Sequence, residues 1–259
     1  MTKTLISPAF WRDRLKASAI HLGISLTIAA IAAGLVFGVW YPYPYSEISG
    51  GRELFILIVS VDVILGPLIT LAVFNRTKPW KELRRDLACV GLLQMAALAY
   101  GLWTVAVARP VHLVFEIDRF RVVHAIEVEK ESIANAPSGV NAMPWTGPTT
   151  LSLRPFKDNQ ESMDKTLAAL EGAHLGARPE LWQPYAAGAP DVLRVAKPVA
   201  VLKSRFPQQA TAIDAVLEKA SKSPQTLRYV PLVGRKLFWT AFVDPVTAEV
   251  VATMPLDSF

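Results

Sequence analysis

Cysteine is almost missing from this sequence. Its one example, Cys89, stands at the start of an apolar run, so no disulfide can close within a chain and no cysteine-based metal site can form. Charge is scarce too. Only 19% of the 259 residues are Asp, Glu, Lys or Arg, against 52% hydrophobic residues and a mean hydropathy of +0.31, which is too apolar for one ordinary soluble domain. No HxH, HExxH or GxSxG arrangement surrounds His112, His124 or His174, and no glycine-rich loop is built to cradle phosphate. The expectation is therefore no catalysis, no cofactor and no metal site. The formal charge of +5 raises the question of nucleic acid, but the basic residues flank apolar runs instead of forming one block, so no nucleic acid partner is expected. No internal repeat or low-complexity tract is evident.

What is present is a set of three long apolar runs. Met1–Lys16 holds Lys3, Arg12, Arg14 and Lys16 against one acid, Asp13, and is expected in the cytoplasm. Ala17–Trp40 follows; Ala30-Ile31-Ala32 looks like a signal-peptidase site, but the apolar run continues to Trp40, which favours an uncleaved first helix. Tyr41–Glu53, YPYPYSEISGGRE, alternates tyrosine with proline and predicts extended backbone, with Trp40, Tyr41, Tyr43 and Tyr45 as an interfacial aromatic anchor. Leu54–Phe74 and Leu87–Ala108 supply the second and third crossings. Between them Arg76, Lys78, Lys81, Arg84 and Arg85 make a basic loop that belongs on the cytoplasmic side and attracts anionic inner-membrane lipids.

The fold class expected is a three-helix transmembrane bundle (17–40, 54–74, 87–108) followed by a periplasmic α+β domain, 109–259, an antiparallel sheet backed by helices. Strand-like alternation covers Val111–Val128, Thr226–Leu232, Leu237–Val243 and Glu249–Met254, the last two joined by a turn at Asp244–Thr247. Helices are expected over Asp158–Ala173, with Met163, Leu167 and Leu170 on one face, and over Pro198–Arg205 and Pro207–Lys222. Glu129–Pro148 and Gly176–Pro190 read as irregular. Trp145, Trp182 and Trp239 are expected in the core or a groove.

Asp62 is the sharpest candidate for function. It lies roughly 12 Å inside the second run, where an ionised carboxylate costs roughly 2.5 to 3.5 kcal/mol and should face protein. Gly66 and Pro67 follow, and proline leaves the carbonyl of Val63 without its donor, predicting a kink. Matching depths suggests a hydrogen bond from Asp62 to Tyr100 or Thr27, with His21 and Gln94 nearer the cytoplasmic end, His21 at the headgroups. Three roles stay open for Asp62: tying the helices together, holding a partner's transmembrane segment, or moving a proton or ion. Proteolysis is disfavoured, because intramembrane aspartyl chemistry needs two carboxylates. Ala30, Gly34 and Gly38 recur every four residues and make a low-bulk face suited to close helix contact, either inside the chain or with a partner.

The stretch YPYPYSEISGGRELFILIVSVDVILGPLITLAVFN, the loop KPWKELRRD, the segment VFEIDRFRVVHA and the tail LRYVPLVGRKLFWTAFVDPVTAEVV together resemble the type IV pilin accessory proteins of the TfpX/TfpZ family. Asp62, Gly66 and Pro67 match that family's D-x-x-x-G-P pattern, and Asp118-Arg119-Phe120 its D-R-F pattern. The resemblance implies a bacterial inner-membrane, chaperone-like protein that binds its cognate major pilin and promotes assembly into pili, alongside other pilus assembly proteins. It implies no catalysis. The partner's helix would then meet Asp62 and the Ala30, Gly34, Gly38 face, and the edge of the C-terminal sheet or the loop Glu129–Pro148 would meet the pilin head. The competing readings are a membrane-anchored periplasmic sensor and a small transporter using Asp62.

Overall fold

The computed structural model describes residues 8–170, 172, 174–220 and 226–259. Lys3 of the expected cytoplasmic segment lies outside the described residues, as do Ala173 and Lys222, where two expected helices were to end. The first apolar run forms α1 (Pro8–Leu35), closing in one π-helical turn, Val36–Trp40. A short α2 (Tyr45–Ile48) precedes the second run, which is α3 (Gly51–Ser60), a π-helical turn (Val61–Leu65) and α4 (Gly66–Val73). The third run is α5 (Trp80–Val107). Phe10–Trp40, Gly51–Val73 and Trp80–Val107 are each long and apolar enough to cross a bilayer. α1 and α5 start before their apolar stretches because Arg12, Arg14, Lys81, Arg84 and Arg85 are good helix formers with flexible stems. The basic loop is partly neutralised, with Arg76 paired to Asp13 at 3.2 Å and Lys78 to Asp86 at 2.6 Å.

The chain divides into two compact units, one of the described residues up to Val39 with Gly51–Val107, the other of Trp40–Gly50 with Ala108–Phe259. The Tyr-Pro loop therefore folds with the second unit, which corrects its expected role as an interfacial anchor. Trp40 and Tyr41 are buried there, Tyr45 packs against the core, and Ile48 is a core residue; only Tyr43, 76% exposed, stays outside. The loop is also partly helical at α2, where extended backbone was expected.

The second unit is a mixed sheet with helices on it, an α+β domain. Its strands are β1 (Pro110–Glu116), β2 (Arg119–His124), β3 (Thr149–Leu153), β4 (Trp182–Pro184), β5 (Lys197–Pro198), β6 (Arg228–Val233), β7 (Phe238–Val243) and β8 (Val250–Met254). They lie in the order β4-β3-β1-β2-β6-β7-β8, with β5 beside β6. The β1–β3 and β2–β6 pairs are parallel, so the sheet is not the purely antiparallel one expected. Parallel neighbours need long connections, and the stretches read as irregular are part of those crossovers.

Alternation along the strands serves two cores. Val230, Leu232, Ala241 and Val243 face Ile48 and Val192 of α7 (Tyr185–Val195), whereas Tyr229 and Phe242 face Leu202 of α8 (Val199–Arg205) and Ile213 and Leu217 of α9 (Ala210–Ala220). α7 lies where Gly188 and Pro190 argued against helix. The apolar face expected of α6 (Asn159–Leu170) is not buried: Met163, Leu167 and Leu170 are exposed. α6 is held by its charged side instead, through Glu161 to Arg154 at 2.6 Å and Lys165 to Glu180 at 2.5 Å. Asp244 Oδ1 accepts the amides of Val246 and Thr247, at 2.8 and 2.9 Å, and so sets the β7–β8 turn.

Because Ile48 reaches the core from the loop between the first two spans, Ile48→Ala should destabilise the second unit by about 2–5 kcal/mol. Thermal unfolding of the full chain in detergent, followed by protease cleavage within residues 108–259, checks it; an unchanged midpoint would contradict the packing.

Candidate functional site

The site forms where the second span loses its regular hydrogen bonding. A π turn pairs each N–H with the carbonyl five residues back, and five residues behind Pro67 stands Asp62. Proline has no N–H, so the carbonyl left over is that of Asp62, one position from the Val63 expected for an α-helical register. Gln94 of α5 fills the gap, its Nε2 donating to Asp62 O at 3.2 Å. Gly66 makes this approach possible: a Cβ there would fall on the Gln94 amide.

α1 closes the other side. Ser18 Oγ donates to Pro67 O at 2.9 Å, and one turn further on His21 Nδ1 lies 2.5 Å from Thr70 Oγ1. His21 is therefore part of the helix packing, near the end of α4. Asp62 sits among these contacts in a cavity of ≈ 140 Å³ lined also by His21, Ser25 and Gln94 and otherwise by apolar side chains. Its Oδ1 is sealed from solvent and has no hydrogen-bond partner among the described residues. Leaving a buried polar atom unpaired costs about 1–3 kcal/mol, so the carboxyl group is a strong site for any polar group that reaches the cavity.

Neither expected partner of Asp62 is in place. Thr27 turns its hydroxyl back to Gly23 O at 2.9 Å, and Tyr100 is 68% exposed and stacks near Trp103. Helical geometry explains both: Tyr100 is six residues after Gln94, roughly 240° round α5, and matching depth does not match direction. Gln94 and Ser18 were the residues sequence reasoning missed. Their signal was a side-chain donor within a turn or so of Pro67's depth on each neighbouring helix. Ala30, Gly34 and Gly38 are exposed, and no described atom lies within 4 Å of a Cβ built at either glycine. Gly34 is nine residues from Ser25, roughly half a turn round α1, so the low-bulk face and the Asp62 cavity look in opposite directions.

Of the histidines in the second unit, His112 stands by itself, while His124 and His174 both lie beside Glu127. His112 stacks on Trp182 with ring centroids 4.5 Å apart and bridges Thr149 Oγ1 at 2.7 Å and Ala142 O at 3.1 Å. Burial first of all pushes its pKa down to about 4. His124 meets Glu127 Oε2 at 3.0 Å, and His174 borders a cleft beside Glu127 and Arg178. No metal-binding group of three or more His, Cys, Asp or Glu occurs among the described residues. Trp182 and Trp239 are buried, while Trp145 is exposed and packs edge-on against Trp40 at 5.3 Å.

Three bilayer-length helices and an α+β unit define the class: a membrane protein with a sizeable domain outside the lipid. The family model described as Fimbrial assembly protein FimB matches residues 9–50. The chain is 34% identical over 247 residues to the Fimbrial assembly protein, serogroup I, of Dichelobacter nodosus, covering 94% of this chain and 95% of that one. To the serogroup E1 protein of the same organism it is 31% identical over 246 residues, again 94% and 95%. The protein of serogroups C1 and C2 is 41% identical over 121 residues, 47% of this chain and 92% of that one. The chain belongs to the fimbrial assembly protein family. No solved structure matches it.

Two measurements follow from this geometry. Gly66→Ala should cost about 1–3 kcal/mol by overpacking, and Gln94→Ala a similar amount by stranding the Asp62 carbonyl, but the double variant should cost clearly less than the sum; additive melting shifts in detergent would deny the contact. For His112, the unfolded chain takes up a proton near 6.5 while the folded chain resists until about 4, so stability is flat above 6.5 and falls on acidification through that window, by on the order of 3 kcal/mol. Denaturation at stepped pH reads it, and His112→Gln should flatten the slope.

Proposed function

We propose that this protein is a chaperone-like accessory of the bacterial inner membrane, of the TfpX/TfpZ kind, that binds the cognate type IV major pilin and promotes its assembly into pili. It acts without catalysis, beside other assembly proteins. The observation that carries the reading is the low-bulk face of α1. Ala30, Gly34 and Gly38 point away from the helices of their own chain, which is the arrangement that lets a foreign helix approach backbone to backbone. The role of the relatives as fimbrial assembly proteins makes a pilin helix the natural occupant.

Topology supports the same picture. Trp40–Gly50 and Ala108–Phe259 make one compact unit, and one compact unit occupies one side of a bilayer. The basic residues from Arg76 to Arg85 then mark the opposite side as cytoplasmic, leaving the α+β unit in the periplasm. There the exposed stripe of Met163, Leu167 and Leu170 on α6 offers a face for the pilin head. Asp62 falls outside the partner face in this arrangement and serves the bundle.

A photocrosslinker placed at Gly34 or Gly38 should capture pilin in living cells, while one at Ser25 should not. Gly34→Leu should reduce surface pili about tenfold, the effect of losing about 1.4 kcal/mol of helix packing, with pilin processing intact. Failure to capture pilin from either glycine defeats the proposal.

A further inference from the structure

The tip of the β6–β7 hairpin carries side chains that no core absorbs. β2 and β6 run parallel with Arg121 opposite Val233, and β1 is antiparallel to β2 with Pro110 opposite His124, so the Gly234–Leu237 turn projects from the end of the sheet at which β1 begins. Leu237 (56%) and Phe238 (51%) are exposed there, and the Phe238 ring meets that of Phe259 at 5.3 Å. Arg235 and Lys236 stand exposed beside them. Apolar side chains beside cations are the composition of a surface that enters a lipid headgroup layer.

The position of the tip within the second unit agrees. Gly234 lies so close to Ile48 that a Cβ would sit 2.5 Å from its Cγ2, and Ile48 is three residues before the second span begins. Arg235 lies near Tyr41, one residue after the first span ends. The tip thus belongs to the part of the unit from which the chain runs into lipid, and Trp40 and Tyr41, buried in that unit, are not free to serve there.

We propose that Leu237 and Phe238 dip into the interfacial layer of the bilayer while Arg235 and Lys236 engage the phosphates of anionic phospholipids, docking the α+β unit on the membrane surface. The test uses the full chain with Cys89→Ala in vesicles of phosphatidylcholine, with or without added phosphatidylglycerol. An environment-sensitive fluorophore is attached at Leu237→Cys or, as control, at Val246→Cys, which is exposed at the opposite end of β7. The Leu237 label should be blue-shifted and quenched by lipids with shallow nitroxides, more strongly with phosphatidylglycerol, while the Val246 label stays aqueous. Arg235→Glu with Lys236→Glu should lower the ratio of lipid-contacting to free tip by roughly 30-fold in the anionic vesicles. High salt should abolish the anionic preference of the unaltered tip without any substitution. A Leu237 label that reports water in both lipids, equal quenching at Val246, or protection only after pilin is added overturns the proposal, the last assigning the tip to a protein partner.

Discussion

In hydrocarbon every backbone N–H and C=O must find its partner within protein, and the second span breaks that requirement at Pro67. The repair comes from its two neighbours. Gln94 supplies the missing donor to Asp62 O, Ser18 bonds the carbonyl of Pro67, and His21 meets Thr70 one turn along. Three helices with little else polar in common are thereby fixed in rotation, since each donor must face the same short stretch of backbone. Hydrophobic pressure cannot do this between helices in lipid. The orientation of α1 that turns Ala30, Gly34 and Gly38 outward follows from the side on which Ser18 and His21 are committed.

Outside the lipid the organisation is conventional in its forces and unusual in its chain path. Ten or so residues between the first two spans complete a core otherwise built from residues more than sixty positions away, with Ile48 among Leu113, Phe120, Leu232 and Trp239. Burying an isoleucine is worth roughly 1.5–3 kcal/mol, a sizeable share of the stability of a domain of this size.

What the sequence made legible was whatever has a strong one-dimensional signal. Run length and hydropathy placed three spans, period-two alternation placed β1, β2, β6, β7 and β8, and Asp244-Pro245 announced its turn. Gly66 and Pro67 marked the stretch where regular α-helical hydrogen bonding gives way to a π turn. The failures all concern direction or long-range pairing. Depth along a helix says nothing of the side a residue faces, which is why Thr27 and Tyr100 were assigned to Asp62 and Gln94 was not. α7 was hidden by Gly188 and Pro190, residues that punctuate a sequence locally even when tertiary packing carries the helix through. The apolar stripe of α6 obeyed the helical period yet is exposed, because charge pairs with Arg154 and Glu180 hold the opposite side.

The loop from Trp40 to Gly50 sets an order of events during synthesis. It is made some sixty residues ahead of β1, yet Ile48 has no core to enter until strands β1, β2, β6 and β7 have followed the third helix off the ribosome. Until then its apolar side chains wait unsheltered, and the second unit cannot close before the last span has been made. Closure of the domain thus comes after synthesis of all three helices, an order written into the connectivity of the fold.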